Sequence, residues 1–288
     1  MAQPTIPVFY TELMVSDEHD MMSPSPFKPR QVADAWRSNI DFPLTFIEPE
    51  PATLDELCLA HDNRYVRSVL ACQIPNGFGN TQRDIALSLP YTSGSMLSAA
   101  RHVLKHGGVA CSPTSGFHHA CYDHHGVFCT FNGLMVTALA LHKAGLVQRV
   151  GILDFDYHYG NGTDDIIKKL SVDWVRNITN GVSYTGKADS FMEMIPNLVN
   201  ELSDCDLILY QAGADPHIDD PLGGFLTTEQ MKQRDAIVFK EAKSWSIPLV
   251  WNLAGGYQID ELPNGTTSIK KVLELHDNTM DECVKAYC

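Results

Sequence analysis

The run Val150-Gly151-Ile152-Leu153 stops at Asp154 and continues as Phe155-Asp156-Tyr157-His158-Tyr159-Gly160-Asn161-Gly162. An apolar run of this kind suits a strand covered on both faces, the parallel strand of an α/β sheet. Side chains two apart share a face of an extended chain, so Asp154, Asp156 and His158 set out in one direction. Two carboxylates and an imidazole at the carboxyl end of a buried strand stand where open α/β sheets take their ligands. Their oxygen and nitrogen donors suit Zn²⁺ or a similar divalent ion. An acidic loop capping the next helix would use the same residues, and D-x-H alone does not separate the two readings.

The rest of the chain repeats the strand-then-helix rhythm. Strands are expected at Pro7–Tyr10, Leu44–Ile47, Val109–Ser112, Trp174–Thr179, Leu207–Tyr210 and Leu249–Leu253. Between them fall helices near Gln31–Ser38, Leu54–Ala60, Arg64–Leu70, Ser95–His106, Phe131–Ala144 and Glu229–Trp245, with a last helical region from Ile269. A further amphipathic helix carries Phe191, Ile195, Leu198, Val199 and Leu202 on one face. Pro24, Pro26 and Pro29 mark a loop before the first helix, and Gly107-Gly108 stops the fourth. No repeat, low-complexity tract or linker interrupts the pattern. It predicts an α/β fold, a single-domain doubly wound, mainly parallel sheet flanked by helices, over residues 1–288.

Composition narrows the function. A formal net charge of −14 argues against direct nucleic-acid binding, which needs a basic footprint, and tolerates cationic or neutral small substrates. No basic segment followed by an apolar stretch reads as a secretory leader, and no apolar run is long enough to cross a bilayer. Eight cysteines without a C-x-x-C pair exclude a zinc finger and suit a reduced, cytoplasmic protein.

Strand ends cluster in a doubly wound sheet, so the residues just past each strand are the ones that can meet. Ser115-Gly116-Phe117-His118-His119 lies past one, Gln211-Ala212-Gly213-Ala214-Asp215 past another, and Ala254-Gly255-Gly256-Tyr257 past a third. A His pair, an Asp and a Tyr therefore converge on the D-x-H segment, each after a small residue that lets backbone turn close to a ligand. Singly, the His pair reads as surface or helix-cap material and Tyr257 as a core residue with a satisfied hydroxyl.

In this order, G-F-H-H-A, G-V-F-C, D-F-D-Y-H-Y-G-N-G-T, A-G-A-D-P with D-P-L-G-G, and A-G-G-Y-Q resemble the zinc-dependent histone deacetylase family, which includes acetylpolyamine amidohydrolases. The similarity runs from about Pro7 to about Tyr257. Y-Q-A-G-A-D, R-D-A-I-V-F and G-G-Y-Q are most like the short class IV branch. The resemblance implies an arginase-deacetylase fold and one Zn²⁺ held by Asp156, His158 and Asp215, with positions left for water and a substrate carbonyl. It makes His118 and His119 the tandem general base and acid, and Tyr257 the hydrogen-bond donor to the oxyanion. Asp154 would orient His118, and Asn161 would take that part beside His119, where some relatives carry Asp. Phe128 and Gly255-Gly256 would line the acyl channel, with Tyr184 or Phe191 as its second wall. A structural K⁺ is implied on Asp154, Asp156 and His158, with Thr179 as a further ligand.

The implied reaction is hydrolysis of an acyl-amide on a lysine side chain of a peptide or protein, or on a polyamine. A segment between His158 and Asp215 that is short for the family implies a wider or shallower pocket, open to bulkier acyl groups or small amines, and Asp84 is a candidate for the acidic rim. A dimetal ureohydrolase shares the fold but needs a second set of Asp and His ligands. A zinc-holding acyl-lysine binder is the non-enzymatic alternative. His124, His125, His158 and His217 form another candidate cluster, of which only His158 has carboxylate partners at strand ends. Oligomeric state is left open.

Overall fold

The computed structural model describes residues 4–17, 23–39, 41–179, 187–261 and 267–288. In chain order the described elements are β1 (Ile6–Phe9), α1 (Lys28–Ser38), β2 (Leu44–Ile47), α2 (Leu54–Ala60), α3 (Asn63–Leu70), α4 (Arg83–His106), β3 (Val109–Ser112), α5 (Gly133–Lys143) and β4 (Val150–Asp154). They continue as α6 (Asn161–Leu170), β5 (Val175–Thr179), α7 (Ala188–Asn200), β6 (Leu207–Gln211), α8 (Thr228–Ser244), β7 (Leu249–Asn252), β8 (Asp260–Glu261), β9 (Thr267–Ser268) and α9 (Lys270–Tyr287). Seven strands form one sheet in the order β2-β1-β3-β7-β6-β4-β5, with parallel pairing throughout.

Alternation along the strands splits the core into two layers. Val109, Cys111, Leu153, Ile208, Tyr210, Leu249 and Trp251 face one side with α1, α7, α8 and α9. Ala110, Val150, Ile152, Leu207, Leu209 and Val250 face the other, covered by α2 to α6. Each fully buried large apolar side chain contributes roughly 1.5–3 kcal/mol. Both faces are thus sealed, and the strands' carboxyl ends are left to carry polar residues.

Helix starts follow their side chains. Thr53 with Glu56 and Thr227 with Gln230 form capping boxes on α2 and α8, and Asp62 accepts the Arg64 and Tyr65 N–H groups on α3. Three expectations shift. The first helix begins at Lys28, because Pro29 fits a first turn, where the missing N–H has no partner to lose. The fourth starts at Arg83 rather than Ser95 and runs through Pro90. Gly94 within it lets the chain at Glu50–Ala52 pass, since a Cβ there would lie 2.2 Å from the Glu50 oxygen. The hairpin β8–β9 was not expected. Among the described residues, no helix is long and apolar enough to cross a membrane.

Candidate active site

Strands β3, β7, β6 and β4 are neighbours in the sheet, and their carboxyl ends deliver His118-His119, Ala254–Tyr257, Asp215 and Asp154–His158 respectively. Asp156, His158 and Asp215 each offer one ligand atom, all within 4.8 Å of one another. His158 Nδ1 lies 2.9 Å from Asp215 Oδ2 and 3.2 Å from Asp156 Oδ1. Both carboxylates are buried, Asp215 completely. Burial raises Asp215 to about 7, helped by the charge of Asp156. Burial opposes ionisation of Asp156 too, but His118 and His158 hold it below the usual carboxylate range. Hydrogen bonds to Asp156 and Asp215 draw His158 up to about 10. Two buried carboxylates and one ring nitrogen thus meet, with a proton on His158 answering their charge, and the donor set fits zinc, which binds such groups deprotonated.

The His pair stands beside this triangle. The two rings are 4.1 Å apart, and His119 is 5.9 Å from the ring of His158. His118 Nδ1 lies 2.7 Å from Asp154 Oδ2. Burial alone would keep His118 neutral, yet Asp154 and Asp156 push it up to about 9. His119 Nδ1 lies 2.6 Å from the amide oxygen of Asn161, which leaves Nε2 as the acceptor. Burial and the charge of His118 bring His119 down to about 4. Two adjacent imidazoles are therefore set apart: carboxylates charge the first, while burial and that charge keep the second neutral, with only an amide behind it.

Tyr257 hangs from a strained turn in which Ala254, Gly255 and Gly256 all have positive φ (40°, 51° and 89°). A Cβ on Gly255 would lie 2.4 Å from Asp215 Oδ1, so only glycine lets the backbone come this close. Asp220 accepts the Tyr257 N–H at 2.7 Å, and the buried Lys28 ammonium donates to the Gly255 carbonyl. Burial, then the charges of Asp156 and Asp215, raise the Tyr257 hydroxyl well above its ordinary pKa, so it keeps its proton.

Phe128, itself at φ 59°, lies between the tilted rings of Tyr257 (5.7 Å) and Phe78 (5.9 Å). Thr179 Oγ1 accepts the Gly160 N–H at 2.9 Å and lies 3.4 Å from Asp154 Oδ2. The expected second wall does not form from Phe191, which is buried in the core against Phe155 and Phe225 because it belongs to the apolar face of α7. Tyr184 lies outside the described residues. His217 is held by Thr228 and Gln258, and exposed His124 pairs with Asp123, so neither joins the ligand cluster.

Sequence reading missed Lys28, Gln211 and Phe78. Lys28 carries no signal, since a lysine in a proline-rich stretch belongs by default on the surface. Gln211, at the last position of β6, donates to Asp154 Oδ1 at 2.9 Å and accepts the Phe117 N–H at 3.1 Å, tying Asp154 to the segment that bears the His pair. A glutamine ending an otherwise apolar buried strand was the available clue.

Residues 25–184 and 170–273 match the histone deacetylase domain. Histone deacetylase 2 of Arabidopsis thaliana is 26% identical over 253 residues, covering 73% of this chain and 63% of that protein. A probable deacetylase of Methanothermobacter thermautotrophicus is 24% identical over 268 residues, 80% of this chain and 79% of that one. Acetylpolyamine amidohydrolase 2 of Pseudomonas aeruginosa is 48% identical over 56 residues, 19% of this chain and 15% of that protein. The crystal structure of the HDA15 HD domain superposes with a TM-score of 0.77 at 19% identity, over 98% of this chain and 90% of that chain, a likeness of fold. With a domain match that spans most of its residues, the chain belongs to the histone deacetylase family of hydrolytic deacetylases.

Proposed function

We propose that this protein is a zinc-dependent amidohydrolase, one catalytic domain over the whole chain, which removes acetyl or longer acyl groups from an amine, foremost a lysine side chain. The reading is carried by the Asp156–His158–Asp215 triangle standing against a histidine pair of opposite protonation tendency. Asp156, His158 Nδ1 and Asp215 would hold a single Zn²⁺. Bound there, the ion supplies a Lewis acid that polarises the scissile carbonyl and lowers the pKa of water towards ~7.

His119, neutral at rest with a free Nε2, takes a proton from the attacking water and, being a weak base, returns it to the departing amine nitrogen. His118, kept charged by Asp154, sets the potential in which that exchange runs. The Tyr257 hydroxyl donates to the oxyanion as charge develops on the former carbonyl oxygen. Phe128 and Gly255-Gly256 line the channel for the apolar stem of the substrate, with Phe78 extending the aromatic wall. A structural K⁺ would lie on backbone oxygens of Asp156 and His158 with Asp154 and Thr179. The unpaired state of all eight cysteines suits a reducing, cytoplasmic setting.

A second reading, an acylpolyamine deacylase, draws on the 56-residue stretch shared with the Pseudomonas protein and on the −14 net charge, which favours cationic amines. Turnover of acetyl-lysine peptide, long-chain acyl-lysine peptide and acetylputrescine is compared under identical conditions. Peptide turnover, one zinc per chain and inhibition by a hydroxamate are expected. Two ions in the cluster would point to a ureohydrolase instead. Zinc uptake without turnover of any of the three would leave a binder.

A further inference from the structure

Backbone groups lose their partners where a parallel ladder ends, and a buried carbonyl left unpaired is costly. β4 and β6 pair as far as Asp154 and Gln211, and the Phe155 N–H still reaches the Gln211 oxygen at 3.1 Å. The carbonyls of Phe155 and Gly213 lie beyond that point, one residue ahead of Asp156 and two ahead of Asp215. One atom of one side chain satisfies both. Arg234 Nη1 donates to the Phe155 oxygen at 3.2 Å and to the Gly213 oxygen at 2.8 Å.

Arg234 is fully buried on α8. The rest of its guanidinium grips Asp235, with Nε at 2.8 Å from one oxygen and Nη2 at 3.3 Å from the other. Asp235 in turn accepts from the Tyr210 hydroxyl and, at 2.7 Å, from Thr279 Oγ1. The guanidinium is thereby fixed from β6, α8 and α9 together. The two segments it joins have no slack, because a Cβ on Gly213 would lie 2.5 Å from Asp156 Cα.

From this arrangement we infer that Arg234 is a positioning residue for the metal centre. It sets the spacing between the segment bearing Asp156 and His158 and the segment bearing Asp215, so that the two carboxylates converge on one cation. The inference rests on the zinc reading given above. A buried ion pair adds little stability over a well-packed apolar pair. What it supplies here is geometry, and the planar, five-donor guanidinium reaches four oxygens, two carbonyls and both oxygens of a carboxylate, where a lysine ammonium has only three donors on one point.

The test compares the wild type with Arg234→Lys and with Arg234→Met/Asp235→Asn, a pair of changes that leaves no buried charge unpaired. Zinc affinity is measured by competition with a chromophoric chelator, the Co²⁺-substituted proteins are compared by visible absorption, and the apoproteins are checked by circular dichroism. Both variants are expected to fold, to bind zinc 10–100-fold more weakly, and to show altered cobalt bands. Wild-type zinc affinity with unchanged cobalt bands in both variants would overturn the proposal. So would failure of both to fold, which would assign Arg234 to the core alone. A wild type that takes up neither metal would remove the zinc reading, and this inference with it.

Discussion

Tyr257 and His119, which the proposed mechanism uses as oxyanion donor and proton carrier, owe their protonation states to burial and to the charges around them. With Asp156 and Asp215 nearby, the buried Tyr257 hydroxyl stays protonated and remains a donor. Tyr257→Phe deletes that donor and no metal ligand, so kcat should fall by roughly 10²–10³ while zinc content stays at the wild-type level. Unchanged turnover would take Tyr257 out of the proposed mechanism. His119 faces the amide of Asn161 at 2.6 Å, and burial together with His118 holds it at about 4. Asn161→Asp places an anion on the same nitrogen, which favours the imidazolium and raises that pKa. The acid limb of kcat/KM should then move to higher pH. A stationary limb would mean that another group titrates. Both positions stood out in the sequence as candidates, because each sits in a short motif beside the small residues that turn the chain.

At the scale of elements, the segment carrying the His pair is braced to α5 by His61. Its Nδ1 lies 2.9 Å from the Cys121 carbonyl oxygen, and its Nε2 accepts the Asn132 N–H at 2.8 Å. Burial brings His61 down to about 4. The unfolded chain, with an ordinary histidine near 6.5, therefore binds more protons than the folded one between those values. The stability this neutral bridge contributes is fully present above about pH 6.5 and is lost as pH falls towards 4. A shift of that size corresponds to roughly 3 kcal/mol. His61→Gln keeps a donor and an acceptor but cannot titrate, so urea unfolding should show a shallower loss of stability between pH 6.5 and 4.5 than in the wild type. Equal slopes would acquit His61. In the sequence this histidine merely separates the helices expected at Leu54–Ala60 and Arg64–Leu70, because its partners lie 60 and 71 residues away. The early start of α4 is hidden for a related reason: proline and glycine ordinarily interrupt a helix, and the segment at Glu50–Ala52 that accounts for Gly94 lies far back in the chain.

Over the whole molecule, an apolar two-layered core carries the cost of gathering Asp154, Asp156 and Asp215 at one buried spot. Uncompensated buried carboxylates cost several kcal/mol each, and a bound cation offsets that. Zinc binding only to the folded chain should raise its stability by about 2.7 kcal/mol at a free concentration one hundred times Kd. Chelation is therefore expected to lower Tm by several degrees and restoring zinc to recover it, measured by calorimetry. A Tm indifferent to both would mean that the cluster holds no zinc.

Periodicity and punctuation were enough to locate the seven strands of the main sheet and the D-x-H segment, since these depend on neighbours two to four residues apart, though not the short β8–β9 hairpin. The order of the strands, which brings β3, β7, β6 and β4 side by side, came only with the tertiary structure. So did the meeting of His158 with Asp215 across 57 residues, of Lys28 with Gly255 across 227, and of Arg234 with the carbonyls of Phe155 and Gly213. Local patterns specify which face a side chain takes. Which distant backbone groups are left unpaired, and which buried charge answers them, is settled only when the layers close.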